Sequence, residues 1–95
     1  MADPDSAAHP VVLTLKVADA LEADCALDPY RERCGLVGGR AGIGVTLYPV
    51  ANAADDPRRS FLLDAHGQIE ALRRMRDTGQ DLYAIYHSHP STPAE

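Results

Sequence analysis

A glycine-rich segment between two apolar runs most constrains the fold of this 95-residue chain. Residues 32–37 and 43–50 are rich in apolar and β-branched side chains, which favour strands. Gly38, Gly39 and Gly42 lie between the two runs, and glycine accepts the backbone angles of tight turns. The pattern predicts a hairpin. No G-x-G-x-x-G or P-loop spacing fits these glycines, so we interpret them as structural.

Five further elements are predicted besides the hairpin, three strands and two helices. We predict strands over 11–16, 60–63 and 82–86, and helices over 17–27 and 65–78. The element order is then β-α-β-β-β-α-β. This order indicates a single α/β domain over residues 11–95, preceded by a polar, disordered leader over residues 1–10.

The second helix has the clearest boundaries. Asp64 is a predicted N-cap, and Gly79 lies where a glycine commonly follows the end of a helix. Ala65, Ile69, Leu72 and Met75 have spacings of four, three and three residues, which predicts one apolar stripe facing the core.

Composition excludes some classes of partner. The net charge is −5 and the isoelectric point is near 5.2, which argues against nucleic acid or an anionic membrane as the main partner. The first nine residues lack the features of a signal peptide, and no apolar run is long enough to span a membrane. We therefore expect a cytoplasmic protein whose cysteines, Cys25 and Cys34, stay reduced and form no disulfide.

The last predicted strand ends in two histidines, His87 and His89, followed by Pro90. Side chains at i and i+2 of a strand point to the same face, so both imidazoles can approach one ion. Imidazole is the commonest protein ligand for metals. On spacing alone, a metal site and two incidental polar residues are equally good interpretations.

Glu32 is the second candidate, at the start of the predicted strand over 32–37. It is either an exposed carboxylate between two arginines or a base that reaches metal-bound water. Cys34 has the same two kinds of interpretation: a small buried side chain, which we favour, or a thiol that takes part in chemistry. The arginines at 73, 74 and 76 are either a solvated helix face or a docking patch for an acidic protein surface.

Three segments together resemble the JAMM, or MPN-plus, metalloprotease domain in its small prokaryotic form. They are E-R-C-G-L-V-G-G at 32–39, Y-P-V-A-N at 48–52 and Y-A-I-Y-H-S-H-P at 83–90. The resemblance implies an α/β fold with three α/β/α layers and a mixed sheet, like that of cytidine deaminases. It also implies a zinc cofactor, Zn²⁺, with His87 and His89 as zinc ligands, Glu32 as general acid/base, and Ser88 as the catalytic-site residue between the histidines.

The family motif continues with a serine and then an aspartate that ligates zinc, both of which would fall beyond Glu95. We therefore expect an incomplete domain, truncated at its C-terminus. A third ligand from Asp28, Asp55 or Glu95 is an open alternative.

The resemblance implies a zinc-dependent metallopeptidase or isopeptidase that cleaves at the C-terminal tail of a ubiquitin-like or sulfur-carrier protein. The alternative is a non-catalytic MPN-like module that binds such a protein without a complete zinc site. A third interpretation is an unstable fragment whose exposed sheet edge invites a homodimer or aggregation.

Overall fold

A computed structural model describes residues 10–89. Its elements are α1 (Leu15–Ala26), β1 (Cys34–Arg40), β2 (Ile43–Val50), α2 (Ala65–Asp77) and β3 (Asp81–His87). Strand β1 is central, and β2 and β3 flank it in antiparallel orientation. The expected disordered leader lies outside the described residues except for Pro10. Within 10–89, no helix has the length and apolar character needed to cross a bilayer.

The predicted hairpin is confirmed, but its turn is shorter than predicted. Strand β1 continues through Gly38 and Gly39, and Ala41 and Gly42 turn the chain with φ angles of 51° and 77°. Positive φ at both central residues is typical of a type I′ hairpin turn. A Cβ added to Gly35 would overlap the backbone carbonyl oxygen of Tyr48 in β2. Glycine is therefore required at position 35 because the neighbouring strand packs closely.

The strand predicted over 11–16 is wrong, because a helix cap replaces it. Leu13 forms one isolated parallel bridge with Gly44. Thr14 then caps α1, and its hydroxyl oxygen accepts a hydrogen bond from the Val17 N–H at 3.2 Å. Capping satisfies a backbone donor that the first helical turn leaves free. The expected mixed sheet is corrected too: the three strands within 10–89 are antiparallel, and the parallel pairing is confined to this bridge.

The strand predicted over 60–63 is also reduced to an isolated bridge, between Leu63 and Asn52. The side chain of Asn52 is the physical reason. Its Oδ1 accepts the N–H of Leu62 at 3.1 Å, so a side chain takes the place of a partner strand.

The predicted boundaries of the second helix are confirmed. Oδ2 of Asp64 accepts the Gly67 N–H at 2.8 Å, and Gly79 has a φ of 70° after the helix ends. The predicted stripe is only partly buried: Met75 is 2% exposed, whereas Ile69 is 52% exposed. The side of α2 that packs on the sheet is therefore rotated away from the predicted stripe.

Two apolar clusters lie on the two faces of β1. Leu36 packs with Ala71 and Met75 of α2, and we name this side of the sheet the α2 face. Val37 packs with Val17 of α1, on the side that we name the α1 face. Successive strand residues point to opposite faces, so one strand supplies the centre of both clusters.

Candidate active site

Strand pairing brings His87 against Glu32. Nδ1 of His87 lies 3.2 Å from Oε1 of Glu32, although 55 residues separate them in sequence. Cys34, at the start of β1, pairs with His87, and Glu32 precedes Cys34 by two residues. The Glu32 side chain is 9% exposed and that of His87 is 36% exposed. The arrangement places a buried carboxylate beside an imidazole that solvent reaches.

His89 follows the end of β3, and its ring contacts that of His87. The ring centroids are 4.9 Å apart, with 75° between the planes. Imidazole nitrogens are donors that zinc accepts, and this contact brings two of them to one end of the sheet. In chemical type, the pair matches two ligands of a zinc site.

The proposed alternatives for a third ligand do not join this pair within the described chain. No group of three or more His, Cys, Asp or Glu side chains in residues 10–89 is gathered for a metal ion. Asp28 serves a turn instead, since its Oδ1 accepts the N–H groups of Tyr30 at 2.9 Å and Arg31 at 3.2 Å. Glu95 lies outside the described residues.

Ser88 links the two strands at the site. Its hydroxyl oxygen accepts the Arg33 N–H at 2.8 Å, and its own N–H donates to the Arg33 carbonyl, also at 2.8 Å. These bonds extend the contact of β3 with the chain before β1 by one residue. Ser88 therefore fixes the peptide that carries both histidines.

The loop between β2 and α2 holds the backbone of Glu32 from both sides. The Glu32 N–H donates to the Pro57 carbonyl at 2.6 Å. The Glu32 carbonyl accepts from Nδ2 of Asn52 at 2.9 Å. Glu32 lies outside β1, so these two bonds replace the strand pairing that would otherwise fix it.

Asn52 also shapes this loop. Its Nδ2 donates to the Ser60 carbonyl at 3.1 Å, and its Oδ1 accepts the Ala54 N–H at 3.0 Å. The loop places Phe61 flat against His87, with ring centroids 4.4 Å apart and 17° between the planes. The loop therefore restrains both Glu32 and His87.

A buried polar network lies on the opposite, α1 face. Oδ1 of Asp24 pairs with Nη2 of Arg33 at 2.7 Å, and Oδ2 accepts the Tyr86 hydroxyl at 2.8 Å. Burial and then the hydrogen bond to Asp24 raise the pKa of the Tyr86 phenol. The same carboxylate raises the pKa of the Arg33 guanidinium through their hydrogen bond. Both carboxylate oxygens of Asp24 are therefore engaged, one by the guanidinium and one by the phenol.

The two thiols pack and do not join the chemistry of the site. Cys34 is 1% exposed, and burial raises its pKa. Burial also raises the pKa of Cys25. A raised pKa keeps a thiol neutral near pH 7 and therefore a weak nucleophile. Of the two interpretations of Cys34, the small buried side chain is the one that the geometry favours.

A cavity of about 200 Å³ adjoins Glu32, lined also by Arg31, Asn52 and Pro57 among others. This volume exceeds that of several water molecules. Glu32 thus borders a space that water can fill, and His87 is not among the residues that line it.

All four predicted site residues lie at one end of the sheet, where His87 contacts both Glu32 and His89 and Ser88 bonds to Arg33. Sequence reasoning missed Asp24, Phe61 and the linking role of Asn52. Asp24 and Tyr86 are 62 positions apart, so no local spacing connects them. The available signal for Asp24 was its position seven residues after Val17 and three after Leu21, which places an acid on the apolar side of the predicted helix.

Residues 14–95 match the family described as prokaryotic homologs of the JAB domain. That match extends over most of the chain, and the chain therefore belongs to this family. The resemblance seen in the three sequence motifs is confirmed at the level of the family.

Two curated relatives and one solved structure are similar to the chain. A desampylase of Haloferax volcanii is 34% identical over 67 residues, covering 68% of this chain and 48% of the relative. A probable TtuB-protein conjugate cleaving protease of Thermus thermophilus is 36% identical over 64 residues, covering 67% and 43%. The chain thus spans about half the length of these relatives. The solution structure of a Desulfitobacterium hafniense protein is 32% identical, with a TM-score of 0.75 over 90% of this chain and 61% of that one.

Proposed function

We propose that this chain carries the general base and two zinc ligands of a metallopeptidase that cleaves conjugates of ubiquitin-like or sulfur-carrier proteins. The observation that carries the proposal is the contact between the buried Glu32 carboxylate and His87, with His89 beside it. The names of the two relatives support the class of substrate, because one of them describes cleavage of protein conjugates.

Each site residue has a stated role in the proposal. His87 and His89 would hold Zn²⁺, which when bound lowers the pKa of a water ligand and polarises a carbonyl. Glu32 accepts a proton from the attacking water and returns it to the leaving amine, a role that its position beside the cavity supports. Ser88 keeps the histidine-bearing peptide in place through its two bonds with Arg33.

The acid/base role is tested by Glu32→Gln, which removes the proton acceptor and nearly preserves shape. We expect hydrolysis of a ubiquitin-like protein joined through its C-terminus to a reporter amine to fall about 10²–10⁴-fold. Glu22→Gln is the matched control, since Glu22 is exposed on α1. Equal rates for Glu32→Gln and the unchanged protein would contradict the assignment.

Zinc binding is tested by removing the metal with a chelator and measuring zinc uptake afterwards. His87→Ala and His89→Ala should each abolish tight uptake, because either change leaves one imidazole. His66→Ala, on the exposed first turn of α2, should retain it. Uptake that survives both site changes would rule out this ligand pair.

The non-catalytic alternative rests on one observation: within 10–89 two imidazoles, and no cluster of three ligand side chains, are gathered. On this alternative the chain binds the modifier protein and does not cleave it. Stable binding by calorimetry, with no hydrolysis after zinc addition, would favour the binding module.

We further propose that the domain has three α/β/α layers like cytidine deaminases. The two apolar clusters, one with α1 and one with α2, support this arrangement. An experimental structure tests it, and a second sheet or both helices on one face would contradict it.

A homodimer is a further proposal, supported by exposed Leu82 and Ile85 on β3, which is an edge strand within the described chain. Ile85→Lys should then lower the dimer fraction in sedimentation equilibrium, whereas Leu15→Lys on α1 should not.

We also propose a cytoplasmic location, supported by the free thiols of Cys25 and Cys34. Fractionation of cells expressing the tagged protein tests that location.

A further inference from the structure

Asp24 is a buried acid whose two partners both lie next to the proposed reacting groups. It is 4% exposed, on the last turns of α1. Its carboxylate binds Arg33 at 2.7 Å and the Tyr86 hydroxyl at 2.8 Å. Arg33 directly follows Glu32, and Tyr86 directly precedes His87. One carboxylate therefore contacts both chain segments that carry the site.

Stability alone is a weak reason for such a group. Removing a carboxylate from water costs several kcal/mol, and an apolar replacement of a buried ion pair is often neutral or stabilising. Each oxygen of the Asp24 carboxylate has its own hydrogen-bond donor, so the carboxylate fixes the orientation of both partners as well as pairing with a positive charge. This specificity fits a role in fixing geometry.

Alternation along the strands explains how Asp24 could act across the sheet. Tyr86 and His87 are neighbours in β3 and point to opposite faces, so holding Tyr86 on the α1 face orients His87 on the α2 face. Arg33 is bonded to Glu32 just before β1, so holding Arg33 restrains the backbone of Glu32. The paired bonds between Arg33 and Ser88 keep the two segments level with each other. The contacts on the α1 face thereby help to fix the 3.2 Å distance between Nδ1 of His87 and Oε1 of Glu32.

We propose that Asp24 is a positioning residue for the Glu32–His87 pair, an inference that rests on the function proposed above. It does not touch the substrate. It acts through Arg33 and Tyr86, and its loss changes the relative placement of the base and the imidazole.

The first test compares Asp24→Asn with Asp19→Asn, which makes the same change at an exposed site on α1. The readout is the ring ¹⁵N signals of His87 and the backbone signal of Glu32, measured without added metal near pH 8. Asp24→Asn should shift these signals, and Asp19→Asn should leave them unchanged. A folded Asp24→Asn protein with unshifted signals would overturn the proposal.

The second test uses a smaller change, so that it stands if Asp24→Asn does not fold. Tyr86→Phe removes one hydroxyl, and Tyr83→Phe removes another from the same strand, one that accepts the Val12 N–H at 2.8 Å. Zinc affinity, measured by competition with a coloured chelator, should weaken about 10-fold for Tyr86→Phe, at the low end of effects from groups that orient metal ligands. It should stay within twofold for Tyr83→Phe. Equal affinities for both variants would overturn the proposal.

The two proposals fail in different ways. An unchanged protein that binds no zinc and hydrolyses nothing contradicts the proposed function, while the metal-free signals of His87 and Glu32 still decide the role of Asp24. Conversely, a hydrolytic protein in which both positioning tests are negative retains its function, and Asp24 is then only a link between α1 and the sheet.

Discussion

The two faces of the sheet differ most at the end where β3 stops. On the α2 face, Glu32 and His87 meet, and the imidazole reaches solvent. On the α1 face, Asp24, Arg33 and Tyr86 form a buried network in which the acid has two partners. The same two chain segments supply both sets. The comparison indicates that side chains able to react on one face can be positioned by buried side chains on the other face that do not react.

The largest effect on stability should come from the two apolar clusters, which test whether the faces are independent. Leu36→Ala should lower the free energy of unfolding by about 2–5 kcal/mol, because Leu36 is 1% exposed. Val37→Ala should lower it by about 1–3 kcal/mol, since one fewer carbon atom is removed from the core. Chemical denaturation measures both changes.

Hydrogen exchange assigns each of these losses to a face. Leu36→Ala should reduce protection chiefly in α2, and Val37→Ala chiefly in α1, following their contacts. If either change loosens both helices equally, the two clusters act as one core and the contrast between faces is limited to the polar groups.

The next largest effect on stability should distinguish the two buried acids, Asp24 and Glu32. Asp24→Ala should cost about 2–3 kcal/mol, below the ~3–5 kcal/mol of a fully buried pair, because Arg33 reaches solvent. Glu32→Gln should cost about 1 kcal/mol or less, since its backbone bonds to Asn52 and Pro57 remain. Denaturation of both variants in parallel gives the difference. A larger loss for Glu32→Gln would reverse the assignment of structural and chemical roles.

Much of this fold could be predicted because its signals are local. Asp64 and Gly79 mark the ends of α2, and the spacing of His87 and His89 predicts that both rings point to the same face. The strand expected near Thr14 was wrong because a cap, which depends on one side-chain torsion, outweighed β propensity. In the sequence, the signal for a threonine cap at residue 14 is no stronger than the strand signal of the apolar residues beside it.

The candidate site was predictable only in part, for a different reason. Glu32 was identified through a family resemblance, since a carboxylate between two arginines looks like surface. The network of Asp24 and the placement of Phe61 depend on contacts between distant segments, which hydrophobic periodicity does not report. The sequence therefore indicates the reactive groups more readily than the groups that position them.

Alkaline pH should reveal the buried phenol of the α1 face. The folded-state pKa of Tyr86 is raised above the usual value of about 10. Its contribution to stability is thus fully present below about pH 10 and is lost as the pH rises toward the folded-state pKa. Between pH 10 and 11, the unchanged protein should lose about 1 kcal/mol more than Tyr86→Phe. Parallel slopes would mean that the phenol ionises freely and that the network is open to water.

The smallest effect is expected at the far end of β1, which tests whether the site responds to distant changes. Ala41 has a φ of 51°, a region that costs residues with a Cβ about 1–2 kcal/mol. Ala41→Gly should therefore stabilise the protein by about 0.5 kcal/mol, because the added freedom of the unfolded chain offsets part of the relief. Ala20→Gly, in the exposed middle of α1, should instead destabilise it by about 1 kcal/mol. Since the turn lies at the opposite end of β1 from Glu32, the His87 ring signals should stay unchanged in Ala41→Gly. A shift there would show that the geometry of the site depends on the whole hairpin and not on the network behind it.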